Sequence, residues 1–179
     1  SAMAGQAEGI TERSICQGVD DRTLSNDPRV ARTSGGCTAW LFNDHNSMFL
    51  TAGHCGISAS SVMLFNLPLS NSSGTVQWPP PIDQYAADAV SNQGNGGGVG
   101  ADWRYFGCFA NTESGLTAFQ RQQARYTLAA TAPNVADARP IRITGHGTVS
   151  GVVPREWNGV QKTHVGPYVG LSGTSLRYH

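Results

Sequence analysis

The chain has 179 residues with a formal net charge of zero, and only 13% of them are charged, against about 25% in an average soluble domain. A neutral chain of this kind carries no basic field for nucleic acid or acidic lipid, and no apolar run approaches the roughly 20 residues that span a bilayer. The length suits one domain, or two small halves sharing a core, and 22 glycines favour turn-rich β structure over a helical bundle.

In chain order, residues 1–28 are polar and turn-rich and read as an extended arm; the first three, SAM, read as a cloning remnant, and the opening has no apolar signal-peptide region. A mature secreted protein would begin in the same way. From Val30 the pattern changes. The runs CTAWLFND (37–44) and MFLTAGHC (48–55) are rich in strand formers and are predicted to pair as a β-hairpin across a polar loop. SVMLFNLPLS (61–70) is a further strand candidate, with NSSG (71–74) and WPPPID (78–83) as loops. QGNGGGVGAD (93–102) is predicted to be a flexible loop feeding the strand DWRYFGCF (102–109). TESGLTAFQRQQARY (112–126) has modest helical character, and the stretches 139–151, 160–173 and 174–179 read as three strands. Short strands about ten residues apart predict a sandwich or barrel.

Gly96, Gly98 and Ala101 match a loose G-x-G-x-x-A dinucleotide fingerprint. That motif must open a helix whose N-terminus receives the pyrophosphate. Here a strand follows, which argues against nucleotide binding.

The chemistry concentrates at His54. A histidine used as a general base needs a nucleophile on one ring nitrogen, a carboxylate on the other and a rigid support. His54 falls at the loop end of an apolar strand, where a side chain can face a cleft, and Cys55 could pin that end by bridging to Cys37 on the other arm of the hairpin. The carboxylate candidate is Asp102, between a glycine-rich loop and an apolar strand; an ionised aspartate there is costly unless hydrogen-bonded, and an imidazole N–H with nearby backbone N–H groups would satisfy it. Asp88 is the second candidate and Asp83 a distant third. Four cysteines without a CxxC pair disfavour a zinc ribbon or a thioredoxin motif; the even count fits two disulfides in an oxidising compartment, with free buried thiols as the alternative.

SGGCTAWLF followed by FLTAGHCG resembles the region around the histidine of chymotrypsin/trypsin-like serine peptidases, where T-A-[AG]-H-C is usual; Cys37, Thr51, Ala52, His54 and Cys55 match. ADWRYFG (101–107) is similar to the family's aspartate segment, and ITGHGT (143–148) to its [VI]-[TS]-G-W-G-T stretch, with His146 where tryptophan is usual. The likeness covers residues 30–179 in the family's order and is strongest to secreted bacterial members. It implies a double β-barrel in an all-β chain: an arm over 1–28, a first barrel over 29–128 carrying His54 and Asp102, and a connection with the first strands of a second barrel over 129–179. It also implies a Cys37–Cys55 disulfide, which leaves Cys16 to bridge Cys108 and tie the arm to the first barrel. The implied activity is hydrolysis of peptide bonds in polypeptide substrates, outside the cell or in a periplasm, with no cofactor and no metal.

Two departures stand out. No I-V-G-G-like activation sequence precedes SGGCTAW. The nucleophile motif G-[DN]-S-G-[GS]-P is also missing; the nearest string is GLSGTS (170–175), in which Ser172 lacks the proline and is followed by only seven residues, so it reads as a turn serine. The expectation is therefore a first barrel complete and a second only partly present, with the serine, the oxyanion hole and the closing strands supplied by a C-terminal fragment or separate chain. A protease-like binding module without catalysis is the alternative function, and a metal-binding or structural β-protein a third. His45 reads as a solvated loop residue, His146 and His164 as structural, and His179 ends the chain. A zinc site built from His54 and Cys55 has no ligand spacing behind it. Trp40, Trp78, Trp103 and Trp157 read as core or loop anchors, and no Asp/Glu-rich loop places a calcium ion.

Overall fold

The computed structural model describes residues 20–43, 48–149, 153–173 and 175–178. Its central feature is a closed barrel of six antiparallel strands: β2 (Val30–Thr33), β3 (Thr38–Leu41), β4 (Phe49–Thr51), β5 (Val62–Leu64), β6 (Gln84–Gly96) and β7 (Asp102–Cys108). Around the barrel the order is β2-β3-β4-β7-β6-β5, and β2 closes it by pairing Arg32 with Leu64 and Thr33 with Met63. The hairpin predicted around 37–55 is β3 and β4, with Trp40 opposite Leu50 and Leu41 opposite Phe49. Alternation sorts the residues: Leu41, Phe49, Met63, Tyr85 and Phe106 point inward and are fully buried. Phe49 stacks on Phe106 at 5.5 Å, and Phe65 meets Tyr85 edge-on at 5.7 Å. Ala31, Ala39 and Ala87 leave room for these rings. Burying each large apolar side chain contributes about 1.5–3 kcal/mol.

The structure corrects the expected loop over 93–102. β6 runs thirteen residues, to Gly96, and its second half pairs with β7 from Gln93↔Tyr105 to Gly96↔Asp102. Only a tight turn joins them, closed by Ala101 N–H donating to Gly98 O at 2.9 Å. No helix opens there, so the glycine fingerprint has no phosphate-binding context. The predicted helical character over 112–126 is one short helix, α1 (Ala118–Gln122), started by a capping box of Thr117 and Gln120. Among the described residues no helix is long and apolar enough to cross a membrane.

The second sheet is built from β8 (Pro140–His146), β9 (Gln161–Ser172) and β10 (Ser175–Tyr178), with β1 (Thr23–Leu24) from the polar N-terminal stretch paired to β9. Polar groups fasten this sheet to the barrel. Thr38 Oγ1 accepts from His146 N–H at 2.8 Å, and Gln161 donates to the carbonyls of Asp27 and Val30 at 3.1 and 3.2 Å. Lys162 is buried, its ammonium donating to the carbonyls of Gly147, Trp157 and Val160 at 2.7–3.0 Å. Burial, reinforced by the charge of Arg22 and partly offset by Asp20, pushes the Lys162 pKa down to about 8.

His146 is as buried as a core residue, its Nδ1–H donating to Gly159 O at 3.1 Å. Burial lowers its pKa from 6.5 to about 4; the hydrogen bond to Gly159 opposes the shift, while Arg32 and Lys162 add to it. Between pH 6.5 and 4 the unfolded chain therefore holds a proton that the folded chain refuses. Stability is lost as pH falls through that window, by up to about 3 kcal/mol from this one group. An NMR titration should show His146 protonating near pH 4 in the folded protein; protonation near 6.5 would contradict the assignment.

Candidate active site

The site is assembled at one end of the barrel, where β4 finishes. Thr51 Oγ1–H donates to Thr38 O at 2.7 Å and fixes that end against β3. The chain then enters a 3-10 turn, Gly53–Cys55, and leaves it through Gly56, whose φ of 52° suits glycine. Cys55 is bonded to Cys37 at the start of β3, so a covalent link holds the turn to the neighbouring strand. Closing a loop of 18 residues in this way stabilises by about 3 kcal/mol in the chain-entropy model.

The first residue of β7 meets this turn. His54 Nδ1–H donates to Asp102 Oδ2 at 2.5 Å, and the His54 backbone N–H donates to Asp102 Oδ1 at 2.8 Å. Both carboxylate oxygens thus accept from His54, with the Gly53 backbone N–H adding to them, and the imidazole plane is referenced to its own backbone. The Asp102 side chain is 21% exposed, whereas that of His54 is 72% exposed. The hydrogen bond from His54 holds the Asp102 carboxyl below its ordinary range, partly against desolvation, with further help from the His54 backbone N–H and the imidazole charge. The carboxylate therefore stays ionised at neutral pH. Among the described residues no hydrogen bond reaches His54 Nε2, so the free nitrogen faces outward.

The fit depends on a glycine. A Cβ on Gly53 would lie 1.9 Å from the Asn95 carbonyl oxygen and 2.8 Å from Asp102 Oδ1. Position 53 lets the β6–β7 ribbon press directly onto the histidine turn.

The other candidates lie elsewhere. Asp88 sits where the β6–β7 register shifts and accepts from Val90 N–H, while buried Asp83 accepts from Asn66 and lies 3.7 Å from Arg121; neither contacts His54. Ser172 ends β9, exposed, before Gly173 at φ 60°. Cys108 ends β7 against the core, unbonded among the described residues and with its pKa pushed up by burial; the partner expected for it, Cys16, lies outside those residues. His45 and His179 also lie outside them. His164 Nε2 faces Asp21 at 3.2 Å in the second sheet. Donor atoms of Cys37, His54 and Cys55 approach within 4.8 Å of one another, but the two sulfurs are bonded together and neither is a thiolate able to hold zinc.

Trp40 anchors the second sheet by donating to Thr144 O at 3.4 Å, and with Phe42, Leu50, Leu128 and Ile143 it lines an apolar cleft of about 300 Å³. Trp157 offers its carbonyl to Lys162, whereas Trp78 and Trp103 are about half exposed. Two residues escaped the sequence reading. Arg104 donates to Gly53 O and to Asn92 Oδ1, both at 3.2 Å, and Asn92 donates to Ile57 O at 3.0 Å. The period-2 spacing of Asp102 and Arg104, which puts both on one face of β7, was the available signal.

No family model and no curated protein matches the chain. Among solved structures it is similar to the thermostable serine protease AL20 from an extremophilic microorganism, with TM-score 0.50 and 16% identity, over 80% of this chain and 67% of that one. The likeness is one of fold. It supports, at a coarse level, the chymotrypsin-like architecture that the closed barrel suggests.

Gly53→Ala should destabilise the protein by about 1–3 kcal/mol, because the ribbon must back away from the turn. Urea unfolding measures this, and an unchanged midpoint would show that the close approach is absent. Replacing Cys37 and Cys55 together with serine should cost about 3 kcal/mol in the same assay.

Proposed function

We propose that this chain carries the histidine and aspartate of a secreted, trypsin-like serine endopeptidase, and that the serine belongs to a segment or chain not in this sequence. The observation that carries the reading is the His54–Asp102 pair: both carboxylate oxygens accept from His54, and Nε2 is left open to solvent. This is the arrangement a general base requires. The serine-protease fold likeness and the disulfide beside the histidine support it, and the disulfide also fits an oxidising compartment outside the cytoplasm.

In the proposed mechanism, Nε2 removes the proton of the serine hydroxyl as its oxygen attacks the scissile carbonyl. The same proton then passes to the leaving amine. Asp102 holds Nδ1 in its protonated form and stabilises the imidazolium between those events. The developing oxyanion is stabilised by backbone N–H groups around the serine. A polypeptide is the substrate, and no cofactor is needed. The second sheet leaves Val165, Val169 and Leu171 of β9 exposed, with Leu176 of β10 paired beside Leu171. These exposed side chains support a completing C-terminal fragment of the same protease that adds the remaining strands.

Residues 1–179 alone should neither hydrolyse a fluorogenic peptide nor label with a fluorophosphonate. Combined with the completing segment, they should do both, and His54→Ala should lower kcat by about three orders of magnitude or more. Near-normal turnover by that variant would remove His54 from the mechanism. A completed protein that fails to label would be a protease-like binding module instead.

A further inference from the structure

Building on the reading of His54 as a general base, we propose that Arg104 and Asn92 form a clamp that positions the histidine turn over Asp102. Arg104 lies two residues after Asp102, on the same face of β7. Its Nε donates to Gly53 O and its Nη1 to Asn92 Oδ1, both at 3.2 Å. Asn92 then spends its own N–H on Ile57 O at 3.0 Å. The carbonyls at the two ends of the segment 53–57 are therefore gripped by one connected pair of side chains. Ile57 is itself buried in the barrel core, which anchors the far end.

Asn92 reaches this position because β6 shifts register between Asp88 and Gln93. The irregularity is braced by Ser91 Oγ, which donates to Asp88 O and accepts from Gly107 N–H, at 2.7 and 2.8 Å. Irregularities of this kind re-aim side chains beside functional sites. From the same ribbon, the Asn95 carbonyl closes on Gly53 from another direction. Asp102, Arg104, Asn92 and the Asn95 carbonyl thus all ride on the two-stranded β6–β7 unit, which ties the histidine turn to the strand that carries the carboxylate. Arg104 has two consequences. Its planar fork fixes the orientation of the Gly53 peptide, which a lysine does less well. Two of its five N–H donors are also spent on Gly53 O and Asn92 Oδ1 rather than on the Asp102 carboxylate, which accepts from His54 through both oxygens.

The test uses the 179-residue protein as it stands and needs no turnover. Arg104→Met keeps the apolar stem and removes the fork, Arg104→Lys restores the charge, and Asn92→Ala cuts the second arm. Two signals are read by NMR: hydrogen exchange of the His54 backbone N–H, and the far-downfield resonance of its Nδ1–H. The clamp predicts exchange at least about tenfold faster in Arg104→Met and Asn92→Ala, through local opening, with the downfield signal broadened or lost. Arg104→Lys should fall between these and the parent. Amides of β2 and β5, on the far side of the barrel, should keep their protection, which separates positioning from general destabilisation. Unchanged exchange and an unchanged downfield signal in both variants would overturn the clamp. If Arg104→Met does not fold, Asn92→Ala decides on the same readouts. Asp102→Asn distinguishes the two levels of failure. Loss of the downfield signal there, with no effect of the clamp variants, sinks the clamp alone; its survival sinks the His54–Asp102 pair and the clamp with it.

Discussion

An imidazole and a carboxylate 48 residues apart in sequence are held within one hydrogen bond, and the rest of the site depends on that contact. Neither side chain could be placed so tightly by its own loop. His54 is fixed from behind by the Cys37–Cys55 bond and the Thr51–Thr38 hydrogen bond, so its turn belongs to the β3–β4 hairpin. Asp102 is fixed because it opens β7, the strand that pairs with β4 through Thr51↔Arg104 and Phe49↔Phe106. The stack of Phe49 on Phe106 sets how these two strands meet inside the barrel. Core packing and site geometry are therefore one problem: a shift of β7 against β4 would displace the carboxylate from the ring.

Electrostatics shape the molecule in proportion to how few charges it has. The sparse ionisable groups gather where the second sheet meets the barrel and the N-terminal stretch. Asp27 is partly buried, which would raise its pKa, yet hydrogen bonds from Arg29 and Tyr126 outweigh that and leave it lowered. Burial, with Asp27 beside it, pushes the Tyr126 phenol up to about 12. Arg22 pairs with Asp20 and also donates to Thr148 O at 2.7 Å, while Lys162 fills a nest of three carbonyls close by. Each group answers the cost of burying polar backbone in a loop with a partner of matching polarity. The second sheet is fastened largely by such polar contacts, whereas the barrel is held by its aromatic interior.

The local signals in the sequence reached a definite limit. The β3–β4 hairpin and the strand 102–109 were legible because each is an apolar run bounded by turn residues. His54 and Asp102 stood out from their positions at the ends of such runs. β6 was not legible. Only its first part faces the core, and beyond Ala87 it is a ribbon of Asn, Gln, Ser and Gly with Val90 almost wholly exposed. Its strand character comes from pairing with β7, a long-range effect that no local periodicity records. The same gap hid Asn92, Asn95 and Arg104. Cys108 occupies a wall position where its side chain packs as a small apolar group against the core. β1 was hidden for a related reason, since two polar-flanked residues become a strand only through β9.

The proposed general-base role turns on which nitrogen of His54 carries the proton when the ring is neutral. Long-range ¹H–¹⁵N correlation spectra of the imidazole report this directly. The structure predicts Nδ1 protonated and hydrogen-bonded, with Nε2 bare and able to accept a proton. Nε2 protonated and Nδ1 bare would contradict the pairing with Asp102 and, with it, the general-base role.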